Sequence, residues 1–233
     1  MLQGKTIVVT GGLGALGSVV AETAAKRGAS VALLDHAPTL PAGFAERLGA
    51  NTLIVGGVDL TSLAAAETAM ASIKTKFGGV DALLNIAGGF QWETIADGKV
   101  DAWDRMYAMN LKTALNACKA ALPYLMESGA GRIVNVGAGS ALHAASGFGP
   151  YAASKSAVHR LTESLADELK LKGVTVNAVL PSIIDTAQNR RDMPNADFSR
   201  WVSPADLAAV MLFLASDEAK AVTGALIPVS GRV

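Results

Sequence analysis

The chain is predicted to form an α/β fold, a single-domain doubly wound parallel sheet with helices on both faces. Short apolar runs rich in β-branched residues alternate with longer segments of helical period along all 233 residues. Apolar residues make up 51% of the chain and aromatic residues only 5%, which is typical of cores built from Ala, Val, Leu and Ile. One large domain is the simplest interpretation of this length, so residues 1–233 are treated as one unit.

The apolar runs predict seven strands, at residues 6–10, 30–34, 52–58, 82–87, 132–136, 174–179 and 226–229. They lack alternation of apolar and polar residues, because strands in a sheet that is covered on both sides bury both faces. The segments between them predict six helices, at residues 15–27, 44–48, 63–77, 102–126, 151–171 and 204–215. Ligands of such sheets bind outside the carboxyl ends of the strands, so the segments that follow the strands are expected to carry the chemistry.

The stretch 185–203 is the nearest thing to a linker, yet it contains Met193, Phe198 and Trp201. Large apolar side chains are unusual in a solvated tether. This stretch is therefore interpreted as a functional loop that contacts substrate.

Charge and cysteine content exclude several classes of protein. Twenty Lys and Arg residues balance twenty Asp and Glu residues without any run of like charges, which argues against nucleic acid or an anionic membrane as a partner. The uncharged stretch 133–154 contains glycines and Pro150, which are unsuited to a membrane-spanning helix. The uncharged stretch 6–21 is also rich in glycine and is interpreted as mature fold, not a signal peptide. The single cysteine, Cys118, cannot form an intramolecular disulfide, and a cytoplasmic location is expected.

A glycine-rich turn, TGGLGALG at residues 10–17, follows the first predicted strand. Three of its glycines have the spacing GxGxxG at the start of a helix, where a tight turn and free amides can hold a pyrophosphate. The alternative is a plain glycine turn. The residues expected to contact a dinucleotide here are Gly11, Gly12, Leu13, Gly14, Ala15, Leu16 and Gly17.

Two acidic residues follow the next strands. Asp35 closes the second strand and could accept hydrogen bonds from ribose hydroxyls, or it could simply be solvated. Its carboxylate would repel a 2′-phosphate and His36 is only weakly basic, so NAD is favoured over NADP. Asp59, followed by Leu60, could accept from an adenine amino group or cap the helix that starts at Leu63.

Tyr151 and Lys155 lie four residues apart at the start of a predicted helix, so they share one face and can reach a single ligand. An ammonium neighbour and a cationic nicotinamide would favour the phenolate, which makes the tyrosine a usable acid or base. A core tyrosine beside a solvated lysine would be the better interpretation if this pair stood alone.

The glycine turn, Asp35, Asp59, the segment NIAG at residues 85–88 and the segment YAASK at 151–155 together resemble the short-chain dehydrogenase/reductase family, over nearly the whole chain. The resemblance implies a Rossmann-type fold, a nicotinamide cofactor, and a homotetramer or dimer built through helices 102–126 and 151–171. Their alanines could allow close approach of a second subunit or could pack on the sheet: Ala114, Ala117 and Ala121.

The resemblance also implies roles for single residues. Tyr151 matches the proton donor or acceptor, and Lys155 matches the residue that binds the nicotinamide ribose and lowers the pKa of the phenol. Asn110 matches the helix asparagine that holds a water in the proton relay; alternatively it is a buried polar residue that kinks a helix. Further cofactor contacts are implied at Ala87, Gly88, Pro181, Ile184 and Thr186.

Three residues depart from the family pattern. Ile86 replaces an asparagine, Ser182 stands where glycine often follows the proline, and Ala138 occupies the position of the active-site serine. Ser140 is the nearby hydroxyl that could substitute, although a solvated loop serine is the alternative.

Segments at residues 11–18, 87–89, 137–142 and 193–201 resemble the dihydropteridine reductase branch of the family, which also lacks the serine. Phe90 and Trp92 could stack on a flat heterocycle or plug their loop. Cys118 fits a core position, and His143 and His159 lack metal-ligand spacing, so no metal site is expected.

The leading hypothesis is an NAD-dependent oxidoreductase that acts on a carbonyl, carbinol or conjugated C=N substrate. A dihydropteridine reductase proper is the alternative among enzymes. An NAD-binding regulatory protein without catalysis is the alternative from another class; Ala138 argues for it, and Tyr151, Lys155 and Asn110 argue against it.

Overall fold

The computed structural model describes residues 2–40 and 43–233. Seven strands form one parallel sheet in the order β3-β2-β1-β4-β5-β6-β7, which confirms the predicted fold class. The strands are β1 (Thr6–Thr10), β2 (Ser30–Leu34), β3 (Thr52–Val55), β4 (Ala82–Asn85), β5 (Arg132–Val136), β6 (Thr175–Pro181) and β7 (Leu226–Val229). The strand order reverses between β1 and β4, so a crevice opens there at the carboxyl ends.

Helices cover both faces of this sheet. They are α1 (Ala15–Lys26), α2 (Phe44–Leu48), α3 (Leu63–Phe77), α4 (Asp101–Met106), α5 (Thr113–Glu127), α6 (Gly149–Leu169), α7 (Ala187–Asp192) and α8 (Pro204–Leu214). None of the helices in the described part of the chain is long and apolar enough to cross a membrane. Within the same residues, no cluster of three His, Cys, Asp or Glu side chains could hold a metal ion.

Two cores lie on opposite faces of the sheet, because successive side chains of a strand point to opposite sides. In β1, Ile7 and Val9 join the core beneath α1 and α8, whereas Val8 joins the core beneath α3, α5 and α6. Ala117 and Ala121 belong to this second core, so they pack within the molecule and do not form a surface for a second subunit.

Two predicted strands end earlier than expected for a physical reason. β3 stops at Val55, and the Val58 N–H donates instead to the carbonyl oxygen of Asp35. β4 stops at Asn85, because the N–H groups of Ile86 and Ala87 donate to the Thr10 hydroxyl, at 3.0 and 3.1 Å. Side-chain and loop acceptors replace strand pairing where the chain turns into the crevice.

The predicted helix at residues 102–126 is continuous but not uniform. A π-helical segment, Tyr107–Lys112, lies between α4 and α5 and contains Asn110. Such segments are rare and are frequent at functional sites.

Candidate active site

A cavity of about 770 Å³ opens at the carboxyl ends of β1, β2 and β4. This volume is within the range of roughly 300–1,000 Å³ that is usual for ligand sites. The predicted residues that line it are Gly11, Leu13, Gly14, Ala15, Leu16, Gly17, Asp35, Asp59, Leu60, Ala87 and Gly88. The opposite wall, which the sequence did not predict, comes from Arg105, Ala108, Met109 and Thr113.

The glycines of the turn are closely packed, so that a side chain at most of these positions would collide with neighbouring atoms. Gly11 has a φ of +65°, and a Cβ there would lie 2.9 Å from the Ala87 nitrogen. A Cβ on Gly12 would lie 2.7 Å from Leu33, and one on Gly17 would collide with the Gly11 carbonyl oxygen. At Gly14 a Cβ would lie 3.3 Å from the Gly11 carbonyl oxygen, which is still a tight contact but the least crowded of the four positions.

The first turn of α1 can receive an anion. Gly14 is its N-cap, no side chain caps its N–H groups, and no acidic residue lies in the turn. Free amides at a helix N-terminus favour a phosphate group through hydrogen bonds and the helix dipole. The glycine turn, the uncapped N–H groups at the start of α1 and the cavity beside them therefore fit a dinucleotide.

Asp35 holds the glycine turn against the end of β2. One carboxylate oxygen accepts from the Leu13 N–H and the other from the Ala37 N–H, both at 2.9 Å. Each carboxylate oxygen has capacity for a further hydrogen bond. Because Asp35 also lines the cavity, ribose hydroxyls can reach it.

Asp59 closes its own turn and does not cap α3. Its carboxylate accepts from the N–H and the hydroxyl of Thr61, at 2.9 and 2.7 Å, and these bonds lower its pKa. Ser62 is the cap of α3, since its side chain accepts from the Ala65 N–H. The helix-cap alternative for Asp59 is therefore wrong, and its second oxygen faces no competing donor in the described part of the chain.

Asn110 and Lys155 do not line the cavity themselves, but both lie against Gly88, which does. A Cβ on Gly88 would lie 2.5 Å from the Asn110 Oδ1 and 3.5 Å from the Lys155 Nζ. Asn110 is 1% exposed; its Oδ1 accepts from the Gly89 N–H at 3.0 Å, and its Nδ2 donates to the Gly89 carbonyl at 3.1 Å. The same Nδ2 donates to Ser154, whose hydroxyl donates to the Tyr151 carbonyl. The π-helical segment is thus joined to the start of α6.

Tyr151 lies in an aromatic group. Its ring centroid is 5.0 Å from that of Phe90 and 6.4 Å from that of Phe148, both in edge-to-face geometry. Burial raises the pKa of Tyr151 to about 12. Trp92, by contrast, is held away in its loop, where its Nε1 donates to the Ser146 carbonyl.

Lys155 is 5% exposed, and its Nζ donates to the Val136 carbonyl at 2.7 Å. Burial lowers the pKa of Lys155 to about 8. We predicted from the sequence that this ammonium lowers the pKa of the Tyr151 phenol. Desolvation is the cause of both shifts and acts against both charged forms, and the lowering of the phenol's pKa by this ammonium stays a prediction.

Ala138 and Ser140 lie where β5 leads toward α6. Ala138 is 3% exposed and precedes a short 3₁₀ helix, Gly139–Ala141, which contains Ser140. Neither residue lines the dinucleotide cavity. The substitution of Ser140 for the missing serine stays a prediction.

Pro181, Ile184 and Thr186 lie at the end of β6 and just beyond it. Asn189 joins two of them, since its N–H donates to the Thr186 hydroxyl at 3.1 Å and its Nδ2 to the Ile184 carbonyl at 2.8 Å. Thr186 thereby caps α7 and keeps its own proton available for donation. Contact of these residues with the cofactor stays a prediction.

Polar and aromatic contacts within the stretch 185–203 hold it in one conformation. Asp185 forms a two-pronged ion pair with Arg190 at 2.6 and 2.8 Å, and the guanidinium lies 4.7 Å from the Phe198 ring centroid. Phe198 in turn packs on Trp201 at 4.7 Å. The stretch closes on itself through a parallel bridge between Ile184 and Val202.

Sequence reasoning missed several residues at this site. His159 had a usable signal, because it follows Tyr151 and Lys155 at four-residue spacing on one helix face. Ser154 sits inside the YAASK segment. Arg105 and Phe148 gave no local signal, since tertiary packing alone brings them to the cavity and to Tyr151.

Comparison with known proteins identifies the family. Residues 5–196 match the family model of the short chain dehydrogenases, and the chain belongs to the short-chain dehydrogenase/reductase family. It is similar to 2-(S)-hydroxypropyl-CoM dehydrogenase 3 from Xanthobacter autotrophicus, with 33% identity over 99% of this chain and 96% of the relative. It is 32% identical to the 3-oxoacyl-[acyl-carrier-protein] reductase FabG of Vibrio harveyi, over 99% of this chain and 97% of the relative.

A solved structure agrees with these relatives. A short-chain type dehydrogenase/reductase from Mycobacterium ulcerans superposes with a TM-score of 0.93 at 29% identity, covering 99% of this chain and 90% of that one. The protein is therefore an oxidoreductase of the short-chain type, a family that generally uses nicotinamide cofactors.

Proposed function

We propose that this protein transfers hydride between NAD and a carbonyl, carbinol or conjugated C=N carbon of a small molecule, with Tyr151 as the acid or base. The observation that carries the proposal is the packing of Asn110 and Lys155 against Gly88 of the cavity wall, with Tyr151 four residues before Lys155 on the same helix, α6. A site that had lost its chemistry would have no need to keep this arrangement.

The bound nicotinamide supplies or accepts the hydride at its C4 atom. The glycine turn and the first amides of α1 bind the pyrophosphate, and Asp35 accepts from ribose hydroxyls. Lys155 uses one of its three N–H donors on Val136 and keeps the others for the nicotinamide ribose and the phenol. Asn110 fixes the backbone of Gly89 and the turn of α6 that carries Tyr151.

NAD is the proposed cofactor, with NADP disfavoured, because the Asp35 carboxylate lines the cavity at the end of β2 and would repel a 2′-phosphate. Two carboxylates, Asp35 and Asp59, line this end of the cavity. A phosphate dianion there would be repelled by like charge.

Tyr151 is proposed to act as a proton donor in the reductive direction. A phenol with a pKa of about 12 holds its proton at neutral pH. After donation, the Lys155 ammonium can stabilise the phenolate, since an opposite charge nearby favours the ionised form.

Dihydropteridine reductase is the second candidate, favoured by Ala138. The methyl group at this buried position cannot donate a hydrogen bond to a substrate oxygen. Phe90 and Phe148, with centroids 5.1 Å apart beside Tyr151, form an aromatic wall suited to a flat ring. A conjugated heterocycle spreads its charge and needs no such donor.

The decisive experiment is a titration of the protein with NADH by fluorescence, followed by a turnover screen on ketones, secondary alcohols and a quinonoid dihydropterin. We expect saturable NADH binding and turnover on at least one of these classes. Binding without any turnover would favour the regulatory alternative, and absence of binding would contradict the cofactor assignment.

We also propose a cytoplasmic homo-oligomer, a tetramer or dimer, with no nucleic acid or membrane partner. The helical region around α4 and α5 exposes large apolar side chains, which a second subunit could cover: Trp103, Tyr107, Leu115 and Met126. Sedimentation velocity measures the state directly, and a monomer at micromolar concentration would contradict this assignment.

A further inference from the structure

Three side chains lie on one face of α6 at four-residue spacing: Tyr151, Lys155 and His159. His159 is 2% exposed, and its Nε2 accepts from the backbone N–H of Ala138 at 3.3 Å. We infer that His159 is a positioning residue, which fixes the backbone of Gly137 and Ala138 on the substrate side of the site. This inference rests on the proposed function for its catalytic consequence.

Close packing supports this role. A Cβ on Gly137 would lie 2.5 Å from the His159 Nε2 and 2.7 Å from its Cδ2, so the imidazole occupies the space that any side chain at Gly137 would need. Gly137 and His159 are therefore complementary. Neither can change size without displacing the other.

The end of β5 and the connection that follows it are held at three successive residues by three different partners. The Val136 carbonyl accepts from Lys155 at 2.7 Å, and the Gly137 N–H donates to the Val179 carbonyl at 2.9 Å. The Ala138 N–H donates to His159. The same helix face that carries the proton donor thus sets the position of the residue that replaces the family's serine.

This contact affects which substrates the site accepts. The Ala138 methyl cannot donate a hydrogen bond, and the Ala138 N–H is directed to His159 instead of to a substrate oxygen. His159 therefore keeps this wall of the site free of a donor. Substrate protonation then depends on Tyr151.

The contact requires an unprotonated Nε2, because an N–H at that position would face the N–H of Ala138. Burial lowers the pKa of His159, the charges of Arg160 and Lys155 lower it further, and Glu163 opposes them. Gly137, which follows β5 and packs against the imidazole, adds no charge, and neither does Leu180 of β6, which lies next to Gly137. The bond is thus present at neutral pH and lost as the pH falls through this lowered pKa.

The test measures amide hydrogen exchange at Ala138, together with NADH affinity and kcat/KM, as functions of pH. In His159→Leu we expect the protection of the Ala138 amide and kcat/KM each to fall about tenfold, as for loss of one hydrogen bond, with NADH affinity unchanged within about twofold. His159→Gln, which retains an acceptor, should restore most of both. His143→Leu removes an exposed histidine and serves as the matched control.

In the wild type, Ala138 protection should decline at acid pH, and this decline should be absent from His159→Leu. Equal Ala138 protection in the wild type and His159→Leu would overturn the inference. If His159→Leu does not fold, Gly137→Ala displaces the imidazole while the histidine is kept and should reproduce the same losses. A third outcome separates the two proposals: exchange of the Ala138 amide depends on His159, but the protein turns over no substrate. This result would contradict the proposed function and would still establish the contact between His159 and the backbone.

Discussion

Burial lowers the pKa of Lys155 to about 8, from an ordinary value of about 10.5. Below this pKa the ammonium can donate to the nicotinamide ribose, and above it the charged form is progressively lost. NADH affinity of the wild type should therefore decline as the pH rises through 8.

Lys155→Met should weaken NADH binding roughly tenfold at pH 7, as expected for loss of a charge-assisted hydrogen bond. The variant should also lack the decline in affinity above pH 8. Isothermal titration across pH 6–10 measures both effects. An unchanged NADH affinity would remove the ribose role from Lys155.

Asp35 should determine the choice between NAD and NADP. Asp35→Ala deletes a ribose acceptor and a source of repulsion, so we expect weaker NADH binding and a preference for NADH over NADPH reduced by about tenfold. Since Asp35 also accepts from Leu13 and Ala37, Asp35→Asn is the control that keeps an acceptor. A wild type that already prefers NADPH would refute the argument.

Ala138 should favour substrates whose charge is already delocalised. Where charge develops on a single oxygen, a hydrogen-bond donor such as serine can raise kcat by about 100-fold or more. Ala138→Ser should therefore increase the rate of ketone reduction by about tenfold or more. Reduction of a dihydropterin should change little, and Ser140→Ala should be nearly silent. Efficient ketone reduction by the wild type, together with severe loss in Ser140→Ala, would show that Ser140 serves as the missing hydroxyl.

At the scale of elements, the π-helical segment explains how a buried polar residue reaches the site. Asn110 lies within Tyr107–Lys112, and its amide bonds both backbone groups of Gly89. Hydrophobic period predicts only that residues 102–126 are helical. The change from α to π geometry depends on partners across the fold, at Gly89 and Ser154, which no local pattern reveals.

The stretch 185–203 is predicted to be a lid whose motion is confined to its first part. The second part is tied to the chain end, because Arg200 and Arg232 exchange backbone and side-chain hydrogen bonds at 2.9 Å, and Arg232 also donates to the Ser199 carbonyl. The bridge between Ile184 and Val202 closes its base.

Hydrogen exchange should therefore change on ligand binding in residues 187–197 and stay slow in residues 198–203. NADH with a substrate analogue should slow exchange in the first range, since lids that exclude water become ordered when they close. Equal exchange in residues 187–197 with and without ligand would count against a lid.

For the molecule as a whole, buried strands and the glycine turn made the fold predictable. Apolar runs such as residues 6–10 and 30–34 coincide with β1 and β2, because a two-sided core demands continuous apolar strands. The cavity wall containing Arg105 was missed, since it depends on how α4 packs across the crevice. The pKa values of Tyr151 and Lys155 were missed because desolvation follows from burial, which spacing alone does not reveal.

The central claim is that Tyr151 supplies the proton for a hydride transfer from NADH, and one measurement tests it most directly. Steady-state turnover and NADH affinity are compared in the wild type and in Tyr151→Phe, on the best substrate from the screen. We expect NADH affinity within about twofold and turnover lower by about 100-fold or more, because general acid–base catalysis contributes 10²–10⁴. Near wild-type turnover in Tyr151→Phe would contradict the account.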